Sequence, residues 1–476
     1  MSDRNGSGFL DTVFDRTLGN LRNVWRDIAS SARTALGSAP RPDLPSDDVE
    51  RLRTQLRDCL DGKGGEVTAR ARAAALGRTY LALNEAGRER FLRLVATEFD
   101  LDRAAVNATA ERLRAAKSDE ESRKLERTLR RALDAPRIKL LKQFNALPEG
   151  VKFLVDMRAV LMTLARHDSA LAALELDLKD LLTSWFDIGF LEVKRITWDS
   201  PASLLERLTV YEAVHAIRSW KDLKNRLEAD RRCFAYFHPR MPDEPLIFVE
   251  VALTQGMADN VQILLDETAP LGDPSEADSA IFYSISNCQR GLSGISFGDF
   301  LIKRVVDQLA AELPHLKTYA TLSPLPGFRA WLDKQLAERG DDLATPSERK
   351  LIEALPLEPA ERSLTRLLGK PGWHKDEAVA QALRAPLLRL GARYLLNERT
   401  PSGRALDPVA HFHLSNGARV ERIDWRADLS GRGQQQSYGM MVNYLYRLAD
   451  IEDNHEAYFG DGRVTASTAI QRLAKG

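Results

Sequence analysis

One stretch constrains the fold more than any other: residues 280–332 predict an apolar strand, a glycine loop, a helix and a second strand. The loop contains Gly291, Gly294 and Gly298. A glycine loop between a strand and a helix exposes backbone N–H groups at the positive end of the helix dipole, where phosphate binds well. The second strand ends at Ser323. The stretch therefore predicts a phosphorylated ligand at one strand end and a candidate reactive serine at the other.

The segments around this stretch predict a mixed sheet. Runs rich in aromatic and β-branched residues are typical of strands, and an Asn-Gly pair is a strong signal for a hairpin turn. The predicted elements are strands at 233–238, 245–253, 281–286, 318–322, 408–413 and 419–425, a helix at 300–313, and a hairpin turn at 415–417.

The chain up to about residue 190 predicts helices instead. Alanine, leucine, arginine and glutamate dominate it, and apolar residues recur at helical spacing. Helical segments are predicted within 1–33 and at 48–59, 66–81, 84–99, 102–116, 119–134 and 149–166, with a proline-rich linker at 37–46. The predicted class is α+β. A helical bundle that mediates oligomerisation occupies residues 1–186, and an α/β domain with a helical insertion at about 325–400 occupies residues 187–476.

Composition and charge exclude several classes of protein. Lys plus Arg and Asp plus Glu number 68 each, so no net field attracts nucleic acid or an anionic membrane. No apolar run approaches the ~20 residues that span a bilayer, and the charged N-terminus lacks the apolar core of a signal peptide. Cys59, Cys233 and Cys288 are too widely spaced for a disulfide framework or a CxxC metal motif, which fits a reducing compartment. We expect a cytoplasmic protein with no nucleic-acid or membrane partner.

Six segments carry a resemblance to one enzyme family. They are 281–286 (IFYSIS), 300–306 (FLIKRVV), 322–328 (LSPLPGF), 412–418 (FHLSNGA), 425–428 (WRAD) and 443–446 (NYLY). From about position 187 onward the chain closely resembles malonyl-CoA decarboxylases, and the helical part resembles them more loosely. The resemblance implies a carboxy-lyase with a GNAT-like (acetyltransferase-type) α/β CoA-binding domain. It also implies malonyl-CoA and acetyl-CoA as ligands, no cofactor, and a homodimer or homotetramer.

Decarboxylation of a malonyl thioester determines which groups such a site requires. The thioester carbonyl takes up the departing electrons as an enolate, so the substrate is its own electron sink. Hydrogen-bond donors stabilise the enolate oxygen, and a positioned acid protonates the enolate carbon. These steps require no metal or organic cofactor.

Ser323, His413 and Tyr446 match the family's active-site serine, histidine and tyrosine. On the residues alone, Ser323 is a turn serine before proline, because TLSPLPG lacks the G-x-S-x-G elbow of hydrolases. The resemblance gives its hydroxyl the role of acid, base or anchor for the malonyl carboxylate. It implies His413 as proton donor to the enolate, which suits a group that exchanges protons near neutrality. It implies that Tyr446 donates to the enolate oxygen or orients His413.

His411 and His413 fall on one face of the strand predicted at 408–413. A His-x-His pair can chelate metal, and a purely structural histidine is the other alternative for either residue. No third ligand stands nearby in sequence, so the sequence predicts no metal site.

The glycine loop matches the family's CoA-contacting segment. The substrate-binding residues expected there are Asn287, Arg290, Ser293, Gly294, Ile295, Ser296, Phe297, Gly298 and Asp299. The alternatives are glycines that serve only the turn and an Arg290 that only faces solvent. Some family members have an active-site glutamate where this chain has Ser296, and a neutral hydroxyl cannot replace a carboxylate as acid or base.

Two other functions share these features. An acyl-CoA-dependent N-acetyltransferase would use the same fold and require an amine acceptor. A non-catalytic protein that binds CoA thioesters would keep the fold without turnover, although the presence of Ser323, His413 and Tyr446 argues against it.

Overall fold

The structure, a computed structural model, describes residues 24–29, 40–61, 65–295 and 301–475. Its contacts divide the chain into two compact units. The first comprises the described residues up to 192 together with those within 237–246 and 288–297. The second comprises the described residues of 193–236, 247–287 and 298–476.

The first unit is helical. Its helices are α1 (Ser46–Leu60), α2 (Gly65–Ala82), α3 (Glu85–Glu98), α4 (Arg103–Arg114), α5 (Asp119–Ala132), α6 (Pro136–Asn145), α7 (Gly150–Leu164) and α8 (Ser169–Trp185). Side chains that accept hydrogen bonds from first-turn N–H groups begin four of these helices, at Asn84, Asp102, Ser118 and Asp168. The six helices predicted from 48 to 166 are confirmed, while α6 and α8 were not predicted. Residues 24–29 are helical, and the rest of 1–33 lies outside the described residues. Of the predicted linker, 37–39 lie outside the described residues and 40–45 precede α1 without helix or strand.

An aromatic cluster fills the core of this unit. The ring of Phe153 on α7 lies 4.8 Å from that of Trp25, 5.2 Å from that of Phe144 and 5.6 Å from that of Tyr80, all edge to face. The Trp25 indole N–H donates to the Pro148 carbonyl at 2.8 Å, so its one polar atom is satisfied although the side chain is buried.

The second unit carries a mixed sheet. Its strands are β1 (Glu192–Ile196), β2 (Arg231–Phe237), β3 (Ile247–Thr254), β4 (Ser279–Asn287), β5 (Thr318–Thr321), β6 (Ser323–Pro324), β7 (Arg419–Asp424) and β8 (Met441–Leu445). Their order is β1-β2-β3-β4-β5-β8-β6, with β7 paired to β8. The predicted hairpin is confirmed as the antiparallel pair β2 and β3.

The second unit also contains helices, several of them within the insertion predicted at about 325–400. They are α9 (Ala202–Tyr211), α10 (Trp220–Asn225), α11 (Val261–Leu264), α12 (Leu301–Glu312), α13 (Phe328–Arg339), α14 (Pro346–Glu353), α15 (Leu364–Gly369), α16 (Glu377–Asn397), α17 (Pro408–Ser415), α18 (Gly431–Ser437), α19 (Ile451–Asp461) and α20 (Thr468–Lys475). In the described part of the chain, no helix has both the length and the apolar character needed to cross a bilayer.

The two central strands separate partway along their length. β4 and β5 are parallel and pair from Ser279 with Thr318 to Phe282 with Thr321. Beyond this point β4 continues to Asn287, whereas the chain after β5 forms β6 and pairs with β8. A cleft therefore opens between strands that are joined at their other end. A helical region followed by this mixed sheet confirms the predicted α+β class.

The strand predicted at 408–413 is wrong, because these residues form α17. Asp407 begins the helix by accepting hydrogen bonds from two first-turn N–H groups, and proline follows at the first helical position. The predicted hairpin turn is the end of this helix. Gly417 has φ of 81°, and the N–H groups of Gly417 and Ala418 donate to the Leu414 and His413 carbonyls. Aromatic residues suggested a strand, but the capping residues at both ends favour a helix.

Replacing Gly417 by alanine tests how this helix ends. A Cβ at this position would lie 2.2 Å from the Ile451 carbonyl oxygen and would have to adopt a left-handed conformation. We expect Gly417→Ala to lower the free energy of unfolding by about 1–3 kcal/mol, measured as a lower midpoint of thermal unfolding. Gly431→Ala is the control, since no atom lies within 4 Å of its Cβ position. Equal midpoints for the two variants would contradict this account.

Candidate functional site

Ser323 lies where the central strands separate. Its hydroxyl donates to Thr321 Oγ1 at 2.9 Å, and its oxygen is also 2.9 Å from His413 Nε2. Thr321 and Ser323 are two positions apart in extended chain, so their side chains share one face. All three side chains are buried, which shields these hydrogen bonds from bulk water.

His413 approaches Ser323 from the last turn of α17. Its other ring nitrogen, Nδ1, lies 2.9 Å from Tyr446 Oη, and its ring stacks on that of Tyr444 with centroids 4.6 Å apart. Burial lowers the pKa of His413 to about 3, so the imidazole is neutral near neutral pH. Burial raises the pKa of Tyr446 well above its usual value, so the phenol keeps its proton. Tyr446, His413 and Ser323 thus form one continuous hydrogen-bonded chain.

One carboxylate holds the helix that carries His413 against the turn that follows Ser323. Asp407 Oδ1 accepts from two N–H groups of the first turn of α17, at 2.9 and 3.0 Å. Asp407 Oδ2 accepts from the Gly327 N–H at 3.2 Å. Burial raises the pKa of this carboxyl despite these donors. Asp407 is therefore a positioning residue between the two sides of the site.

A cavity of about 270 Å³ opens beside Ser323 and His413. Its volume is just below the usual range for small-molecule pockets, about 300–1,000 Å³, which suits the acyl end of a ligand. The other residues that line it are Val214, Phe282, Tyr283, Ser284, Ile285, Asn287, Pro324, Pro408, Val409 and Phe412. Most of this wall is apolar. Tyr446 is not part of the wall and contacts His413 on the side away from Ser323.

Glu212 fixes one wall of the cavity. Its carboxylate accepts hydrogen bonds from the Ser284 hydroxyl at 2.8 Å and from the Ser286 hydroxyl at 3.1 Å. It also accepts from the backbone N–H groups of Val214 and His215, at 2.8 and 2.6 Å. Two side chains of β4 and the loop that carries Val214 are therefore joined through one carboxylate.

The predicted substrate-binding residues are distributed over the end of β4 and the turn after it. Asn287 is the last residue of β4 and lines the cavity. Arg290 is exposed and donates to Thr163 Oγ1 at 2.7 Å. Ser293 and Gly294 are exposed and Ile295 is buried. The remaining four, Ser296, Phe297, Gly298 and Asp299, lie outside the described residues.

The helical conformation of α17 separates the two histidines that the sequence placed on one face. His411 Nδ1 lies 2.8 Å from Tyr458 Oη, whereas His413 contacts Ser323 and Tyr446. Over the residues that the structure describes, no three histidine, cysteine or carboxylate side chains are arranged to hold a metal ion.

Four residues of this site were not predicted from the sequence: Thr321, Asp407, Tyr444 and Glu212. Three of them could have been found from local signals. Strand alternation from Ser323 would have identified Thr321, and the Asp-Pro pair, a recognisable helix start, would have identified Asp407. Tyr444 lies two positions before Tyr446, so the same alternation applies to it, and both residues contact His413. Glu212 is distant in sequence from the hydroxyl groups that it contacts, and no local pattern identifies it.

Comparisons with known proteins agree with this architecture. The malonyl-CoA decarboxylase C-terminal domain family matches residues 189–476, and the malonyl-CoA decarboxylase N-terminal domain family matches residues 99–186. The mitochondrial malonyl-CoA decarboxylase of Anser anser anser is 38% identical over 428 residues, which cover 84% of this chain and 83% of that protein. The mitochondrial malonyl-CoA decarboxylase of Rattus norvegicus is 41% identical over 349 residues, 70% of each chain.

Solved structures extend the similarity to the fold. The crystal structure of malonyl-CoA decarboxylase from Rhodopseudomonas palustris superposes with a TM-score of 0.81 at 42% identity, covering 89% of this chain and 99% of that one. The corresponding enzyme from Agrobacterium vitis gives a TM-score of 0.78 at 42% identity, again covering 89% of this chain and 99% of that one. Since sequence and fold match over most of its length, the chain belongs to the malonyl-CoA decarboxylase family.

Proposed function

We propose that this chain converts malonyl-CoA to acetyl-CoA and CO₂ in the cavity beside Ser323 and His413. The observation that carries the proposal is the buried hydrogen-bonded chain from Tyr446 through His413 to Ser323, whose outer hydroxyl borders a small, mostly apolar cavity. Family membership indicates the substrate, and the hydrogen-bonded chain indicates the route that the proton takes.

The hydrogen bonds favour one distribution of protons along this chain. Among the described residues, His413 Nδ1 is the only acceptor for the Tyr446 hydroxyl, so the hydroxyl proton points to it. His413 Nε2 then carries the ring proton and donates to Ser323, whose own O–H points to Thr321. The opposite tautomer would leave a buried hydroxyl proton without an acceptor, at a cost of about 1–3 kcal/mol.

Ser323 is the group best placed to protonate the product enolate. A low pKa keeps His413 neutral, and a neutral imidazole and a serine hydroxyl are similarly weak acids, so position decides between them. Both ring nitrogens of His413 face hydroxyl groups, whereas the Ser323 hydroxyl borders the cavity. A thioester enolate is a stronger base than an alkoxide, so it can take the Ser323 proton directly. The His413 Nε2–H then stabilises the serine oxygen until solvent returns a proton. One proton is consumed for each CO₂ released, as the overall reaction requires.

The apolar wall of the cavity favours conversion of the charged malonyl carboxylate to neutral CO₂. Phe282, Val409 and Phe412 are among the apolar side chains that surround the acyl position. A malonyl carboxylate placed there is poorly solvated, whereas the CO₂ that it becomes is neutral. The edge of β4 beyond Phe282 has no strand partner on the cleft side in the described residues.

The central test is an assay without an acceptor. Purified protein should form acetyl-CoA and CO₂ from malonyl-CoA with no added amine or metal. In deuterated water, the acetyl methyl group should gain solvent label, because the enolate is protonated from an exchangeable hydroxyl. Recovered malonyl-CoA serves as the control for exchange before reaction. Product that forms only with an added amine would instead indicate an N-acetyltransferase, and tight binding without turnover would indicate a non-catalytic binding protein.

Removing the Ser323 hydroxyl tests the proton route. We expect Ser323→Ala to lower kcat by about 10²–10⁴-fold, the usual contribution of a positioned acid. Ser347→Ala, on a helix of the insertion outside the cavity lining, is the control and should retain full activity. Thermal unfolding of both variants should stay near that of the native protein. Full turnover by Ser323→Ala would remove Ser323 from the mechanism.

The neutral state of His413 predicts how stability depends on pH. The unfolded side chain titrates near its ordinary pKa, while the folded one titrates at about 3. Between these two pKa values the unfolded state therefore binds more protons than the folded state. The contribution of neutral His413 to the free energy of unfolding is complete above the unfolded pKa and is lost as the pH falls toward the folded pKa. We expect His413 to cost on the order of 2 kcal/mol of stability between about pH 7 and pH 5.

Thermal unfolding of the native protein and of His413→Asn checks this expectation, because the variant lacks the titrating group. The native midpoint should fall more steeply than the variant midpoint as the pH is lowered. Parallel falls would show that His413 titrates normally in the folded protein.

The proposal also includes a homodimer or homotetramer formed through the helical unit, and cytoplasmic residence. Exposed apolar side chains on that unit, such as Val67, Leu133 and Leu176, are available for self-association. The animal relatives are named as mitochondrial, which differs from a cytoplasmic location. Light scattering of the full chain would measure the oligomer.

A further inference from the structure

The hydroxyl of Thr321 uses its full hydrogen-bonding capacity. Its oxygen accepts from the Ser323 hydroxyl at 2.9 Å and from the Tyr444 backbone N–H at 3.1 Å. Its own proton points to the Val442 carbonyl oxygen, which is 3.5 Å away. A hydroxyl group has one proton to donate and two lone pairs to accept with, so Thr321 can only accept from Ser323 in this arrangement. The Ser323 proton is therefore directed at Thr321 and not into the cavity.

The sheet holds the Thr321 hydroxyl in this place. Thr321 is the last residue of β5, is fully buried, and pairs with Phe282 of β4. Asn443 Nδ2 donates to the Thr321 carbonyl at 2.7 Å. The residue of β8 whose N–H donates to the Thr321 hydroxyl is Tyr444, and its ring stacks on His413. The same segment of β8 therefore positions both Thr321 and the histidine of the site.

The hydrogen bond from Thr321 to Val442 is the weakest of the three. Its length of 3.5 Å is at the outer limit for a hydrogen bond, whereas hydroxyl groups usually donate to oxygen at about 2.7–2.8 Å. Rotation of the Thr321 O–H away from Val442 therefore sacrifices little. Ser323 Oγ, at 2.9 Å, is within reach of the rotated O–H as soon as that oxygen no longer carries its own proton.

Proton transfer to the enolate creates the condition for this rotation. A C–H bond forms at the enolate carbon, the Ser323 O–H bond breaks, and the negative charge moves from the enolate to Ser323 Oγ. A buried charge is costly unless hydrogen bonds stabilise it. His413 Nε2–H already lies 2.9 Å from this oxygen, and the rotated Thr321 O–H adds a second donor at the same distance. Two such donors, fixed in advance, form an oxyanion hole for the serine.

We propose that Thr321 is a positioning residue that reverses its hydrogen bond with Ser323 in each turnover. Before the proton transfer, the threonine oxygen accepts the serine proton and directs it away from the cavity. After the transfer, the threonine hydroxyl donates to the charged serine oxygen until solvent returns a proton. The proposal rests on the proposed function, because it takes Ser323 as the acid that protonates the enolate. It gives a part in the reaction to a residue that does not line the cavity.

Replacing Thr321 by valine removes the hydroxyl and keeps the shape of the side chain. We expect Thr321→Val to lower kcat for malonyl-CoA about 10²–10³-fold with little change in KM, as for loss of one oxyanion donor. Thr321→Ser retains the hydroxyl and should keep most of the activity. Thr318→Val is the control, because Thr318 lies at the other end of β5 and outside the cavity lining. Native kcat in Thr321→Val, or equal losses in Thr321→Val and Thr321→Ser, would overturn the proposal.

A binding measurement tests the direction of the hydrogen bond without any turnover. S-(2-carboxyethyl)-CoA has a methylene group in place of the thioester carbonyl of malonyl-CoA, so it has no electron sink, and S-(2-carbamoylethyl)-CoA is its neutral amide. In Thr321→Val the Ser323 proton has lost its acceptor and is available to a ligand, and a carboxylate accepts it more strongly than an amide. By calorimetry, the preference for the carboxylate should rise about two- to ten-fold, the net contribution of one neutral hydrogen bond.

The two measurements separate a positioning role from a structural one. If Thr321 only supported the fold, its replacement would weaken both ligands alike, so an unchanged preference in Thr321→Val would refute the proposal even with a lower kcat. A native protein that binds both ligands but does not decarboxylate malonyl-CoA would refute the proposed function, while a raised preference in the variant would still establish where the Ser323 proton points. If thermal unfolding shows that Thr321→Val does not fold, Thr321→Ala removes the same hydroxyl and takes its place in both measurements.

Discussion

The parting of β4 and β5 is the constraint on which the site depends. Parallel pairing satisfies the backbone groups of both strands up to Phe282 and Thr321. Buried backbone groups without partners are costly, so the strands can separate only where other partners exist. The chain after Thr321 finds them by pairing Ser323 with Val442 on β8. The sheet thus stays bonded while a space for a ligand opens between its two central strands.

The polar groups around that space are arranged so that none is left charged without support. The imidazole of His413 is neutral because it is buried, and each ring nitrogen has a hydroxyl partner. The carboxylates of Asp407 and Glu212 are turned toward backbone N–H and hydroxyl donors. Such prearranged dipoles need not reorganise when charge develops on a bound thioester.

The sequence predicted regular elements well where local signals were consistent. Six helices between residues 48 and 166 and the two strands of the β2–β3 hairpin follow from periodicity and residue type. Residues 408–413 were misjudged because their aromatic side chains suggested a strand, while the caps at Asp407 and Gly417 determined a helix. The resemblance named Ser323, His413 and Tyr446, and the structure shows that they are in contact.

Contacts between distant segments were beyond the reach of local patterns. Arg158 and Gly291 are 133 positions apart, and nothing around either residue indicates the other. The same holds for Glu212 and its hydroxyl donors on β4. These pairs arise from packing, which single-sequence periodicity does not encode.

The missing side chain of Gly291 has a consequence for how this protein can be divided. Residues 288–297 belong by their contacts to the helical unit, although they follow β4 directly in the chain. A fragment that starts at Val193 would include this segment but lack α7. Gly291 packs against the Val155 carbonyl of α7 and accepts a hydrogen bond from the Arg158 guanidinium of the same helix. A cut at the predicted domain boundary would therefore separate this segment from its packing partners, and a fragment that keeps these contacts has to include α7.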